Sequence, residues 1–272
     1  MTNQNRNIGI VLSILGILTG LLLFYLLAQN YMIVVDGKIA GGRPDEAVAV
    51  EVTHSMLGAL GLVASALWGA VLYGFYINKS WSWQWGTVAA ALQLLAGFFP
   101  TIPAKSIDLP AATMPVFLIA LILWFGMVYV GKVNRKVIAL TFIAGIAYVL
   151  TYIDGVAVIS RYQHLGFETA IPKVLKGMYA VVQMSFWIGA AAWLVFTYGV
   201  FKHRPWTLPL GIMASLTSIL GGYILSVVEL IEKGGYFSLY LPAAIVATGL
   251  LIFLLTPGAN VLIMEKKAGI EP

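Results

Sequence analysis

Charged residues divide this chain into eight uncharged stretches. Lys, Arg, Asp and Glu are absent from residues 7–35, 52–78, 80–104, 109–131, 137–153, 177–201, 205–228 and 234–264. A hydrocarbon core of about 30 Å needs about 20 apolar residues of helix, so nearly every stretch is long enough to cross a bilayer. Only 137–153 is short, and apolar sequence resumes after Asp154. The pattern predicts an all-α, polytopic integral membrane protein with eight transmembrane helices.

Composition agrees with this class and excludes others. Hydrophobic residues make up 60% of the chain and charged residues 10%, far from the average soluble domain. The basic residues are scattered at the ends of the uncharged stretches, so the positive net charge does not indicate nucleic-acid binding. The chain has no cysteine, which excludes disulfides, thiolate metal sites and a thiol nucleophile.

The distribution of charge predicts the orientation. With a cytoplasmic N-terminus, nine Lys and Arg residues lie inside and seven lie outside. The inner loops are very short, and the positive-inside rule applies to short loops. We therefore expect a multi-pass protein of the cell membrane with both termini cytoplasmic. The N-terminus lacks a small-residue cleavage site, so the first stretch is expected to be a retained span rather than a signal peptide.

An internal repeat is the most specific pattern in the chain. At a constant offset of 125 residues, nine identities occur in 32 aligned positions without a gap. They pair Ala66, Trp68, Tyr73, Gly74, Trp81, Gly86, Ala89, Leu95 and Gly97 with Ala191, Trp193, Tyr198, Gly199, Trp206, Gly211, Ala214, Leu220 and Gly222. A later segment, Leu109-Pro110-Ala111-Ala112, recurs as Leu241-Pro242-Ala243-Ala244, and both prolines are expected in the first turn of a helix.

The repeat predicts the domain organisation. Residues 1–131 form a first four-helix repeat, residues 132–264 a second, and residues 265–272 a cytoplasmic tail. An even number of spans per copy gives the two copies the same orientation, so the repeats are expected to be parallel. Two outer segments, Asp36-Gly37-Lys38 and Gly41-Gly42-Arg43-Pro44-Asp45, are predicted to be turns.

Three side chains at outer ends of spans are candidate ligand-binding residues. His54 could hydrogen-bond a quinone carbonyl, relay protons or ligate haem iron, or it could be an interfacial histidine that faces water or lipid headgroups. Asp154 and Glu229 are carboxylates next to apolar sequence, where ionisable groups often have a function. Glu229 and Lys233 are spaced i,i+4, which also fits a solvated helix end with a modest ion pair.

No complete catalytic set, metal site or cofactor motif is visible, so catalytic residues stay unassigned and neither a metal nor a cofactor is expected. A haem held by paired histidines is not expected, because His164 and His203 fall in loops. Gln93 and Gln183 are predicted to bond neighbouring helices.

Three functions remain open. The first is an integral membrane subunit or scaffold that packs against partner subunits and membrane lipid, in a respiratory or other complex. The second is a carrier for a small or lipid-like solute at the interface of the two repeats. The third is a quinone- or lipid-interacting membrane enzyme.

Overall fold

A computed structural model describes residues 2–162, 173–233 and 237–264. These residues contain helices and no strand. The helices are α1 Asn3–Ala40, α2 Pro44–Tyr76, α3 Ser82–Phe98, α4 Thr101–Lys105, α5 Met114–Val130, α6 Arg135–Ala157, α7 Ile159–Tyr162, α8 Lys173–Phe201, α9 Thr207–Lys233, α10 Leu241–Leu254 and α11 Pro257–Met264. The predicted tail, residues 265–272, lies outside the described residues, as does His164.

The chain divides between Val133 and Asn134 into two compact units. In the N-terminal unit, α1 packs against α2 and α5, and α3 packs against the same two helices. In the C-terminal unit, α6 packs against α8 and α10, and α9 packs against the same two. Each unit is therefore a ring of four principal helices, with the short helices attached to its ends.

The long helices make this a multi-pass membrane protein. In the described part of the chain, six helical segments are long and apolar enough to cross a membrane: Asn3–Ala40, Pro44–Tyr76, Ser82–Lys105, Arg135–Tyr162, Gly177–Phe201 and Thr207–Ile231. A seventh span results if α10 and α11 are counted together, although they are bent by 84°. Helix α5 has 17 residues, or about 26 Å at 1.5 Å per residue, just short of a full span.

The last uncharged stretch is not one straight helix. Helix α10 ends at Leu254, and α11 begins at Pro257. A proline has no N–H to donate, and its ring clashes with the carbonyl four residues earlier, so the helix cannot continue through this position. The hydroxyl of Thr256 donates to the carbonyl of Phe253 at 2.7 Å, which satisfies an acceptor at the break.

The predicted turn at Asp36-Gly37-Lys38 is wrong. Helix α1 continues through these residues to Ala40 and is 38 residues long, about 57 Å, far more than the hydrocarbon core requires. The turn follows at Gly41 and Gly42, and Gly42 has a φ of 72° that favours glycine. The C-terminal end of α1 is held by a small apolar cluster consisting of Val34, Val35, Ala47, Val50 and Ala104.

Candidate functional site

His54 lies on α2 and is buried, with 2% of its surface exposed. The interpretation as a histidine facing water is therefore wrong. Its imidazole borders a cavity of about 190 Å³ inside the N-terminal unit. The other lining residues are Leu27, Asn30, Ile33, Val34, Pro100, Ala104, Leu109, Pro110, Ala112 and Thr113. We call this space the His54 cavity.

The His54 cavity combines apolar walls with a few neutral polar groups. None of its lining residues is Asp, Glu, Lys or Arg. Within the described part of the chain, His54 Nδ1 and Thr113 Oγ1 are buried and have no hydrogen-bond partner. The imidazole has a backbone interaction with Val50, one turn earlier, but the geometry of Nδ1 falls short of a hydrogen bond. Such unsatisfied buried groups are rare in folded proteins and need an explanation.

One wall of the His54 cavity is non-helical backbone. Helix α5 begins at Met114, with Pro115 in its first turn, so Pro110 lies in the preceding loop. The expectation that Pro110 opens this helix is therefore wrong, whereas Pro242 does lie at the start of α10. Non-helical backbone at membrane depth is tolerated where protein buries it or where it lines a cavity.

Asp154 and Glu229 come together in the C-terminal unit. They are 2% and 4% exposed, and their carboxylates interact electrostatically. Glu229 Oε1 lies 3.6 Å from an Arg161 guanidinium nitrogen. Glu229 Oε2 accepts hydrogen bonds from the hydroxyl of Ser238 at 2.6 Å and from the backbone N–H of Leu239 at 3.1 Å. The interpretation of Glu229 as a solvated helix end is therefore wrong, because burial and these donors explain its position.

The same cluster extends to Tyr240, whose hydroxyl hydrogen-bonds to Arg161. Asp154 is less well satisfied than Glu229, since its Oδ2 has no hydrogen-bond partner among the described residues. We call Asp154, Arg161, Glu229, Ser238 and Tyr240 the Glu229 network. Sequence reasoning did not identify Arg161 as its cation, because Arg161 and Glu229 are 68 residues apart and nothing in the spacing pairs them.

Lys38 is a second buried charge that sequence reasoning missed. It is 2% exposed, and its ammonium group donates to the carboxylate of Glu46 and to the hydroxyl of Ser106. Arg43 also donates to the backbone carbonyl of Ser106 at 2.8 Å. These contacts join the C-terminal end of α1 and the N-terminal end of α2 to the residue that follows α4. Their geometry indicates a structural clamp rather than a reactive site.

The described residues do not include a cluster suited to bind a metal ion. In residues 2–162, 173–233 and 237–264, no group of three or more His, Asp or Glu side chains could hold a metal ion. His203 Nδ1 lies 3.0 Å from the backbone carbonyl of Ile263, so this histidine contacts the last turn of α11. The absence of a haem ligated by paired histidines stays a prediction.

Comparison with family models, curated proteins and solved structures gives no match. Functional inference therefore rests on the two clusters of polar residues. The structure brings Asp154 and Glu229 together, and it places His54 in the other compact unit, beside the His54 cavity.

Proposed function

We propose that the chain is an integral membrane subunit or scaffold that packs against partner membrane proteins in the cell membrane. One observation carries this proposal: polar side chains in the middle of the helices form hydrogen bonds with neighbouring helices of the same chain. Gln93 accepts from Trp68 and donates to the carbonyl of Gly16. Ser218 accepts from Trp193 and bonds to Thr151. A carrier would need such groups available for its solute.

The proposed architecture is eight spans in two parallel four-helix repeats, and the inner turns support it. Asn78 and His203, which are 125 residues apart in sequence, have φ values of 56° and 50°. Lys79 N donates to Gly74 O at 2.8 Å, and Arg204 N donates to Gly199 O at 3.1 Å. The turn therefore has the same hydrogen-bonded geometry at both positions.

Close packing at this turn explains why its glycines recur. A Cβ on Gly74 would lie 2.6 Å from the ring of Trp81, and a Cβ on Gly199 would lie 2.7 Å from the ring of Trp206. In each copy the tryptophan fills the space that a larger residue would need. Shared steric constraints of this kind support duplication of a four-helix unit.

The proposed topology has both termini in the cytoplasm. It treats α5 as a short span and treats α10 as the last crossing, with α11 bent away by 84°. Lys132, Arg135 and Lys136 then lie in a short inner loop, as the positive-inside rule favours. Under this topology His54, Asp154 and Glu229 all lie toward the outer side.

Helix α1 offers a surface for a partner helix. Val11, Leu18 and Tyr25 follow one another at seven-residue intervals, and each is more than half exposed. Gln29, at the outer end of this exposed face, bonds to the hydroxyl of Tyr25. A strong hydrogen-bonding group on an otherwise apolar face is typical of helix–helix contacts in membranes.

Site-specific crosslinking tests the proposal. A photoreactive maleimide is attached to a single cysteine at Leu18 or, as a control, at the exposed Ile122 of α5. Illumination of native membranes should give a discrete heavier adduct from position 18 only, containing a protein that also co-purifies stoichiometrically with the tagged chain. Purification as a colourless monomer, with no adduct at either position, would contradict the scaffold function and favour the carrier.

A further inference from the structure

The two units differ where α5 and α10 begin. Leu109-Pro110-Ala111-Ala112 and Leu241-Pro242-Ala243-Ala244 have the same residues, but only the second segment is helical. In α10 this first turn packs closely, and Ala243 and Ala244 are completely buried. In the N-terminal unit the matching residues are unwound, and Leu109, Pro110 and Ala112 line the His54 cavity. The cavity thus lies where two segments of identical sequence adopt different backbone conformations.

Two of the three polar side chains that line the cavity have a buried atom without a hydrogen-bond partner among the described residues, whereas the third, Asn30, donates to the carbonyl of Leu26 at 2.8 Å. Thr113 occupies the N-cap position of α5, where a threonine hydroxyl normally accepts a hydrogen bond from the first turn. It makes no such bond, and it is 3% exposed. His54, on a different helix, also has a buried ring nitrogen without a hydrogen-bond partner among the described residues. A ligand held between these two side chains could satisfy both.

Charge and size restrict the ligand. A phosphate or other ionic group would be buried without a counter-charge here, because no lining residue is acidic, lysine or arginine. The cavity volume of about 190 Å³ is somewhat larger than the roughly 150 Å³ of an engineered cavity that binds benzene. The space therefore suits one six-membered ring with small substituents.

The position along α2 indicates a membrane ligand. Glu46, the exposed partner of buried Lys38, precedes His54 by eight residues, or about 12 Å of helix. Under the proposed topology, the cavity lies just below the polar interface. This is the depth at which the headgroup of a lipid-soluble molecule enters while its tail stays in the bilayer.

We infer that the His54 cavity binds the uncharged ring headgroup of a quinone-type lipid, with its oxygens hydrogen-bonded by His54 and Thr113. Leu27, Ile33 and Val34 of α1 contact the faces of the ring, and the loop before α5 closes the other side. This is a binding site and implies no electron transfer. It adds a ligand to the proposed scaffold function and does not depend on it, because the ligand contacts one unit of this chain.

The test is calorimetric titration of the purified full chain in mild detergent with a decyl-substituted benzoquinone, after subtraction of the heat from empty micelles. The wild type should bind at one saturable site. Thr113→Val should weaken binding about tenfold, because it removes one hydrogen bond and keeps the shape. Ala112→Leu should abolish binding by filling the cavity.

Thr53→Val is the matched control. Thr53 is adjacent to His54 and completely buried, but its hydroxyl donates to the carbonyl of Ala49 at 2.6 Å and does not line the cavity. It should bind the quinone as the wild type does, and all variants should keep the elution volume and helix content of the folded chain. No saturable wild-type binding, equal binding by Ala112→Leu, or equal binding of decylphosphocholine would each overturn the inference.

Discussion

The indole Nε1 of Trp68 donates to the amide oxygen of Gln93 at 3.0 Å, deep inside the N-terminal unit. Gln93 in turn donates its amide hydrogen to the backbone carbonyl of Gly16 at 2.7 Å. A single side chain thus joins α1, α2 and α3. The sequence-matched pair in the C-terminal unit, Trp193 and Ser218, is 3.4 Å apart and connects through Ser218 to Thr151 of α6.

Gln93→Leu should lower the free energy of unfolding by about 1–2 kcal/mol, because it leaves the Trp68 N–H without a buried partner and removes the second hydrogen bond to the Gly16 carbonyl, which keeps its bond within α1. Unfolding by sodium dodecyl sulfate in mixed micelles measures this change. In a double-mutant cycle, Trp68→Phe should cost less in the Gln93→Leu background than in the wild type. Additive costs would mean that the indole and the amide are not coupled.

Replacement of Arg161 should be more damaging than replacement of its partner. Arg161→Met leaves Glu229 buried without its cation, and breaking a buried pair in this way typically costs about 3–5 kcal/mol. Arg161→Met combined with Glu229→Gln should be more stable than Arg161→Met alone, since the amide can still accept from Ser238 and Leu239. Thermal unfolding of purified Arg161→Met, Glu229→Gln and the double variant measures the order. If the double variant is the least stable, the ion pair is not the main role of Arg161.

Lys38, Glu46 and Ser106 form the clamp described above, and removal of its two charges should lower the stability of the protein by different amounts. Lys38 is 2% exposed and Glu46 is 44% exposed. Glu46→Gln leaves a buried ammonium group without its counter-charge, whereas Lys38→Met leaves a carboxylate that water and Arg43 can reach. Glu46→Gln should therefore lower the melting temperature more than Lys38→Met does. Equal shifts, or a larger shift for Lys38→Met, would contradict this account of the clamp.

The natural absence of cysteine makes the orientation directly testable. Single cysteines at Ser80, in the turn after α2, and at Gly41, in the turn before it, are both exposed. In intact cells, a membrane-impermeant maleimide should label position 41 and not position 80, and permeabilised cells should show labelling at both. Labelling of position 80 from outside would show that the orientation is the opposite of the one proposed.

The sequence predicted an all-helical chain with several membrane-spanning helices, because charge is costly in a bilayer and its absence marks long apolar segments, although six or seven candidate spans are found among the described residues where eight were expected. It did not predict local backbone conformations that depend on packing between helices. The C-terminal end of α1 stays helical because Val34 and Val35 pack against Ala47, Val50 and Ala104. These contacts override the turn-forming residues Asp36 and Gly37.

The candidate sites were predictable only in part. Their residues could be named, because a histidine or a carboxylate is conspicuous in apolar sequence. Their partners could not, since Arg161 is distant from Glu229 in sequence and Thr113 looks like one of many threonines. The unwound start of α5 was also hidden, because its residues are the same as those that are helical in α10.

The Asp154→Asn variant should show whether Asp154 contributes to the stability of the protein or to its function. Asp154 is buried beside another carboxylate, and its Oδ2 has no hydrogen-bond partner in the described part of the chain. Asparagine has the same shape and removes the electrostatic repulsion. We therefore expect the free energy of unfolding to stay the same or to rise by about 1 kcal/mol, whereas Glu229→Gln, which weakens the pair with Arg161, should lower it.

Residues that reduce stability are often retained because function requires them. If Asp154→Asn is as stable as the wild type but, at equal expression, loses the partner that the proposed scaffold function requires, Asp154 has a functional role in that assembly. If assembly is normal, the carboxylate is not needed for partner binding. Strong destabilisation by Asp154→Asn would show instead that this carboxylate has a stabilising partner, contrary to the geometry around Oδ2.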